Sequence, residues 1–359
     1  MLGQSEAYLW SWQFQEELAT AQQALEIYRA LQDRGGEADA LHQIGDAQLN
    51  LEQFDQGVNT LQQALVIRRE VRDRQGEGWT LGLLGIGQVQ QGNSTEGLQT
   101  LQQAVAILKE PVASELELQQ QYRRGVILAW LGNAHRQQNQ LEQANSTLQE
   151  ALTLGRSIGN RSVEGLVLTF TAKLYAQQNQ LDAALKTHQQ VLALREQAGN
   201  RLAQGWVLYQ IADLYKQQER YSQALEAFQQ ALSLFQAVAD QSAQAEAFYA
   251  IAGVYKQQEQ YSQALENYQQ ALMLFRSLNN RISELNTLNS IGYAYINSQQ
   301  YEQARPFFQQ QLEIARQTND QSQEVFGIWG VGDTYGRQGQ NFYANGAYAE
   351  AVAAAQQAV

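Results

Sequence analysis

Residues 201–240 read RLAQGWVLYQIADLYKQQERYSQALEAFQQALSLFQAVAD, and residues 241–280 read QSAQAEAFYAIAGVYKQQEQYSQALENYQQALMLFRSLNN. Leu208, Ile211, Ala212 and Tyr215 fall at helical spacing, and Gln217 to Arg220 then make a polar break. Tyr221, Ala224, Phe228, Ala231 and Leu232 resume the helical spacing. This reads as two amphipathic helices joined by a turn, each with one apolar stripe. The next forty residues repeat it through Phe248, Ile251, Ala252, Tyr255, Tyr261, Ala264, Tyr268 and Ala271.

Working outward, the same small residue recurs at Gly45, Gly85, Gly132, Ala172, Ala212, Ala252, Gly292 and Gly332, and a Tyr follows at 175, 215, 255, 295 and 335. A fixed period of this length denotes stacked repeats, each burying its face against its neighbours. Repeats are predicted at 35–74, 75–121, 122–161, 162–201, 202–241, 242–281, 282–321 and 322–359. A partial unit precedes them, with Tyr8, Phe14, Ala21 and Ala24 in register with Gln48, Phe54, Leu61 and Ala64. No linker interrupts the array, so residues 1–359 are expected to form one domain whose terminal units are incomplete. Between units, Gly159-Asn160 and Gly199-Asn200 suit a left-handed helix end, and Asp240, Asn280 and Asp320 suit the cap of the next helix. Asp320 with Gln323 has the spacing of a reciprocal capping pair. Two slips of seven residues break the period, one near Pro111 and one at Asn341–Gly346. Each reads as a longer loop or as two added helical turns, the alternative being a functional insertion. Pro306 is expected near the start of a helix.

The net charge of -12 argues against nucleic acid and against an anionic membrane surface as partners. Absence of Cys excludes disulfides and thiolate chemistry. No apolar run is long enough to span a bilayer, and no signal peptide is visible, so a cytoplasmic location is the expectation.

The pattern Ile251-Ala252, Tyr255, Ala264, Tyr268, Ala271 resembles the tetratricopeptide repeat, as do Ile291-Gly292, Tyr295, Ala304 and Phe308. Earlier units are more degenerate: Gln48, Gln88 and His135 replace the Tyr, and Gly57 and Gly97 replace the second-helix Ala. The period of forty is similar to that of the extended-helix arrays of kinesin light chain and Pins-type adaptors. The resemblance implies an all-α, right-handed superhelical solenoid of antiparallel helix pairs. It further implies that the first helix of each pair, helix A, lines a concave groove that binds a peptide. Leu131-Gly132-Asn133-Ala134 matches the adaptor pattern, in which the Asn holds peptide backbone; its equivalents are otherwise Asp46, Ile86, Lys173, Asp213, Gly253, Tyr293 and Asp333. The Lys/Asn/Arg set of the carboxylate-clamp subgroup is not found.

Counting from the small residue, the inner positions carry Trp79, Trp206, Tyr209, Tyr249, Tyr293, Phe326 and Trp329. They also carry the bases Arg136, Lys173, Lys216, Lys256 and Arg337, the acids Asp39, Asp46, Asp213, Glu246 and Asp333, and the amides Asn133 and Asn289. Exposed aromatics favour binding hot spots, and the alternative is packing on the adjacent unit. The groove candidates are Asn133, Arg136, Lys173, Trp206, Tyr209, Lys216, Tyr249, Lys256, Asn289 and Tyr293. A locally basic middle would select an acidic partner segment.

The histidines, His42, His135 and His188, occupy different repeat positions; the last two read as packed ring substitutes. His42 with Asp39 and Asp46 makes a weak metal-ligand set. No cofactor, metal or catalytic constellation is expected, and the chain reads as a non-enzymatic interaction scaffold for a protein or peptide. The alternatives are a sensory or regulatory module of a larger signalling protein and an array that self-assembles end to end through its terminal repeats. The composition is similar to that of bacterial repeat proteins.

Overall fold

The computed structural model describes the backbone of residues 5–344 and the side chains of residues 14–340. These residues form two compact units, one of residues 5–200 and one beginning at Arg201. The first contains α1 (Ser5–Leu31), α2 (Arg34–Asn50), α3 (Phe54–Glu70), α4 (Arg74–Gln90), α5 (Ser94–Leu108), α6 (Ser114–Gln137), α7 (Leu141–Ser157), α8 (Arg161–Gln177) and α9 (Leu181–Gln197). The second contains α10 (Arg201–Gln217), α11 (Tyr221–Ala237), α12 (Gln241–Gln257), α13 (Tyr261–Ser277), α14 (Arg281–Asn297), α15 (Tyr301–Gln317) and α16 (Gln321–Ala344). There is no strand among the described residues. Within each unit successive helices pack on one another; the even-numbered helices are helix A, and α4 also touches α2 and α6, α6 touches α8, and α14 touches α16.

Helices α2 to α4 and α7 to α15 are each 17 residues long. Three-residue turns join them, and the middle residue of each turn has a positive φ, as at Glu52 (59°), Arg72 (58°), Asn179 (59°), Glu259 (58°) and Gly159 (65°). Each turn closes with an amide reaching back five residues, for example Arg220 donating to the Tyr215 carbonyl at 2.9 Å and Gln260 to Tyr255 at 2.9 Å. This satisfies helix-end carbonyls in the Schellman manner. The forty-residue period is thus two equivalent halves of twenty, and turns within and between repeats share one geometry. Asp240, Asn280 and Asp320 cap the following helices, accepting from the amides of Ala243 (2.9 Å), Ser283 (3.1 Å) and Gln323 (3.0 Å).

Close approach explains the small residues. A Cβ at Gly97 would lie 2.9 Å from the Gly85 carbonyl, and one at Gly57 would lie 3.1 Å from the Gly45 carbonyl. In these early repeats α4 crosses α5, and α2 crosses α3, backbone against backbone, so Gly stands where later repeats carry Ala. Residues 5–200 share a core of Leu, Ile and Val running from Leu49 to Leu174. From residue 201 onward the clusters are smaller, built on Ala252, Ala264 and Tyr268, on Phe235 with Ala243, and on Phe308 with Ile296.

An element missing from the repeat pattern is an ion pair that staples helix B of one repeat to helix A of the next. Arg29–Glu37 (2.9 Å), Arg69–Glu77 (2.8 Å), Arg156–Glu164 (2.8 Å), Arg276–Glu284 (2.8 Å) and Arg316–Glu324 (2.8 Å) occupy the same register. Each puts a base in a helix's last turn and an acid in the next one's first turn, the polarity the helix dipole favours.

Three expectations need correction, and each seven-residue slip takes a definite form. The partial first unit is not a helix pair: α1 runs unbroken from Ser5 to Leu31. The slip near Pro111 divides between a break at residues 109–113 and two extra turns, which make α6 24 residues long. Gln323 does not return to the Asp320 amide; its side chain bonds Gln311 (2.8 Å) and Asn286 (3.2 Å). Pro306 lies in the second turn of α15, not at its start. There it is exposed, and the carbonyl it leaves without a donor, that of Glu302, is on the exposed side. The second slip also lengthens a helix, since α16 has 24 residues; the Tyr348/Ala351 pair lies outside the described residues.

Candidate functional site

The inner positions of residues 5–200 converge on Asn133 and Arg136 of α6 and Lys173 of α8. Asn133 is buried at 4% exposure, not open on the surface as its repeat position suggests. Its side-chain oxygen accepts from Arg136 Nε (3.1 Å) and Nη2 (3.0 Å). Arg136 Nη1 donates to Gln177 Oε1 at 2.9 Å. Lys173 Nζ stands 5.9 Å from the centre of the Phe170 ring. Partial burial depresses the pKa of both bases, and the Arg136 charge adds to the effect on Lys173. Both cations are held by amides and a ring, and neither has an ion pair among the described residues.

From residue 201 onward the inner aromatics have a second job. Tyr209 stacks edge-on against Phe228 (5.0 Å), Tyr249 tilts on Tyr268 (5.3 Å), and Tyr293 stands edge-on to Phe308 (5.2 Å). Each ring of helix A therefore packs on the aromatic of its own helix B. α11, α13 and α15 place a ring in the same register every forty residues, and the adjacent unit contributes as well: Tyr209 joins a cluster with Ala243 and Ala247 of α12, and Tyr293 one with Val331 of α16. Trp206 contacts Tyr209 (5.6 Å) and Phe235 (5.1 Å), yet 38% of it stays exposed. Trp329 remains 65% exposed. The hydroxyl of Tyr249 is bonded to Ser290 Oγ at 3.0 Å. Burial raises the pKa of Tyr209 and Tyr293, in each case assisted by a neighbouring carboxylate.

The basic positions differ here. Lys216 is neutralised by Asp213 at 3.0 Å, and Arg337 by Asp333 at 2.9 Å. Lys256 is half-buried without an ion pair among the described residues. The side-chain oxygen of Asn289 is buried and has no hydrogen-bond partner.

The weak metal set disperses. Asp39 pairs with Arg68 (2.6 Å), His42 Nδ1 meets Thr80 Oγ1 (3.0 Å), and Asp46 accepts from Asn50 (3.1 Å). His42 is buried, and burial lowers its pKa to about 3. No cluster of three or more His, Cys, Asp or Glu among the described residues could hold a metal ion. Within the same limits, no helix is long and apolar enough to cross a membrane. His135 and His188 are packed as ring substitutes, at 7% and 3% exposure.

The tetratricopeptide repeat family pattern matches residues 36–110, 167–237, 203–277 and 243–317. No curated protein matches the sequence. Among solved structures, a signal transduction ATPase with numerous domains and a tetratricopeptide repeat sensor, from Pyrococcus horikoshii, is 17% identical; the match covers 94% of this chain and 53% of that one, with a TM-score of 0.68. This chain thus spans about half the length of that protein. Aspartyl phosphate phosphatase F from Bacillus subtilis is 15% identical over 83% of this chain and 75% of its own, with a TM-score of 0.57. The apo quorum sensor NprR from B. thuringiensis is 13% identical over 87% of this chain and 98% of its own, with a TM-score of 0.51. At these identities the likeness is one of fold.

Proposed function

Because the chain belongs to the tetratricopeptide repeat family, we propose that it is a protein-interaction module whose helix-A layer in residues 5–200 holds an acidic segment of a partner protein. The observation that supports this reading is the Arg136–Lys173 pair. In a chain of net charge -12, two neighbouring bases stand without carboxylates and are partly desolvated. Asn133 and Gln177 fix the guanidinium's direction without neutralising it. An incoming carboxylate would supply the charge partner that the fold withholds, and charge-assisted bonds of this kind are the strong ones. The role proposed is binding rather than catalysis: His42, His135 and His188 are each engaged in packing or in a hydrogen bond to a neighbour.

The test is fluorescence anisotropy with a Glu-rich peptide and the same peptide with Gln at each Glu. The Glu peptide should bind at least about tenfold more tightly, roughly 1.4 kcal/mol. Arg136→Gln with Lys173→Gln should abolish the difference with helicity unchanged. Equal affinity for the two peptides would refute the reading. A regulatory sensing role is a second reading, supported by the fold shared with the Pyrococcus protein described as having a tetratricopeptide repeat sensor.

A further inference from the structure

Helix α6 has 24 residues where α8 has 17, and the surplus, residues 114–120, lies at its N-terminal end. These added turns wall a cavity of about 440 Å3 within residues 5–200, floored by α2 and the start of α4. Cavities of this size take small molecules.

The cavity has donors to spare. Arg68 is only 8% exposed, and its two terminal nitrogens are bonded to Asp73 (2.5 Å) and Asp39 (2.6 Å). Its Nε is buried and has no acceptor. Arg123, from α6 just past the surplus turns, lies 5.6 Å over the Trp79 ring. It makes no ion pair among the described residues, so an indole rather than a carboxylate positions it. Burial lowers its pKa and the Arg68 charge lowers it further, opposed in part by Asp73 and Asp39. His42 is held neutral by burial and by the same two guanidinium groups, with a pKa of about 3. The nearby acids are already engaged: Asp39 and Asp73 by Arg68, and Asp46, pushed up to about 6 by burial and by Glu17, by Asn50. The five N–H donors of Arg123 remain.

We propose that this cavity binds a small organic carboxylate, with Arg123 receiving the carboxylate and Trp79 and Leu116 lining its apolar body. A carboxylate only accepts hydrogen bonds, and its two oxygens match the guanidinium fork. The shared chemistry has two sources, a free small acid or the C-terminus of a peptide. Arg123 and Arg136 lie roughly 20 Å apart along α6, so this site is separate from the acidic-segment surface proposed above.

The experiment is calorimetric titration of the full chain with benzoate, 3-phenylpropionate and hippurate, each against its primary amide. At least one acid should bind tenfold or more tightly than its amide. Arg123→Met, which keeps the stem over the indole, should remove that preference, and binding of the Glu-rich peptide should persist. Leu116→Asp, at an exposed position, should weaken the acid and spare the amide, which keeps the test alive if Arg123→Met misfolds. Hippurate ahead of benzoate points to a peptide end, and benzoate equal or ahead points to a free acid. If no acid is preferred to its amide, or if the preference survives Arg123→Met in a folded protein, the proposal is overturned.

Discussion

His188 occupies the helix-B slot that Phe228, Tyr268 and Phe308 fill at intervals of forty. It is 3% exposed, and its Nδ1 is buried without a partner. Burial, then the Lys173 charge, lowers its pKa to about 4. A buried orphan polar atom costs about 1–3 kcal/mol. His188→Phe should therefore raise stability by roughly 1–3 kcal/mol at pH 7. The gain should widen by about 2 kcal/mol at pH 5, where the unfolded chain protonates the native imidazole's counterpart. Urea unfolding at the two pH values checks this, and a destabilised variant would refute it. The ring role of His188 was legible because its register alone implies it. Burial of His42 and Asn133 was not. His42 is covered by Thr80 and its neighbours thirty-eight residues on, and no local pattern reports contacts at that separation.

Among elements, the turn decides more than the helix. Ala239 sits in the left-handed region at φ 55°, where a Cβ costs about 1–2 kcal/mol. Ala239→Gly should stabilise the chain by roughly 0.5–1 kcal/mol after the added chain entropy is counted. Chemical denaturation of wild type and variant reads this directly, and an unchanged or lower midpoint would count against it. The forty-residue beat was readable because Gly, Ala and Tyr mark helix A. The twenty-residue beat was hidden, because Glu219, Glu259 and Gln299 adopt the turn conformation with no sequence sign of it. At the other extreme, the register of Phe14 with Phe54 aligns Ser11-Trp12-Gln13 with the turn at residues 51–53, yet α1 passes straight through. Propagating a helix is easier than starting one. The ion-pair staples could have been found from Arg followed eight residues later by Glu, a spacing that recurs from Arg29 to Glu324.

At the scale of the whole molecule, all three histidines fall within residues 5–200. Between pH 6.5 and about 4, the unfolded chain binds protons at His42 and His188 that the folded chain refuses. Asp46 works the other way, since its folded pKa of about 6 lies above its unfolded one. Two protons against one leave the unfolded state favoured as pH falls, by about 1.4 kcal/mol per pH unit. Glu246, beyond residue 200, has a raised pKa and so gains rather than loses from mild acid. Hydrogen exchange at pH 7 and pH 4.5 should show protection lost first in residues 5–200; loss beginning beyond residue 200 would contradict this. Most of the site was out of reach of the sequence: the inner positions were countable, but which bases lack an acid depends on pairs such as Lys216–Asp213 that only packing arranges. The twenty-residue half also sets a parity rule for how such an array can grow. Gain or loss of one half would exchange inner and outer layers for everything downstream, so only whole pairs are neutral. Seven residues fall within about 20° of two full turns. The surplus in α6 therefore escapes the rule: it lengthens one inner helix while leaving every later face where it was, which allows a single local feature to be added without rewriting the rest.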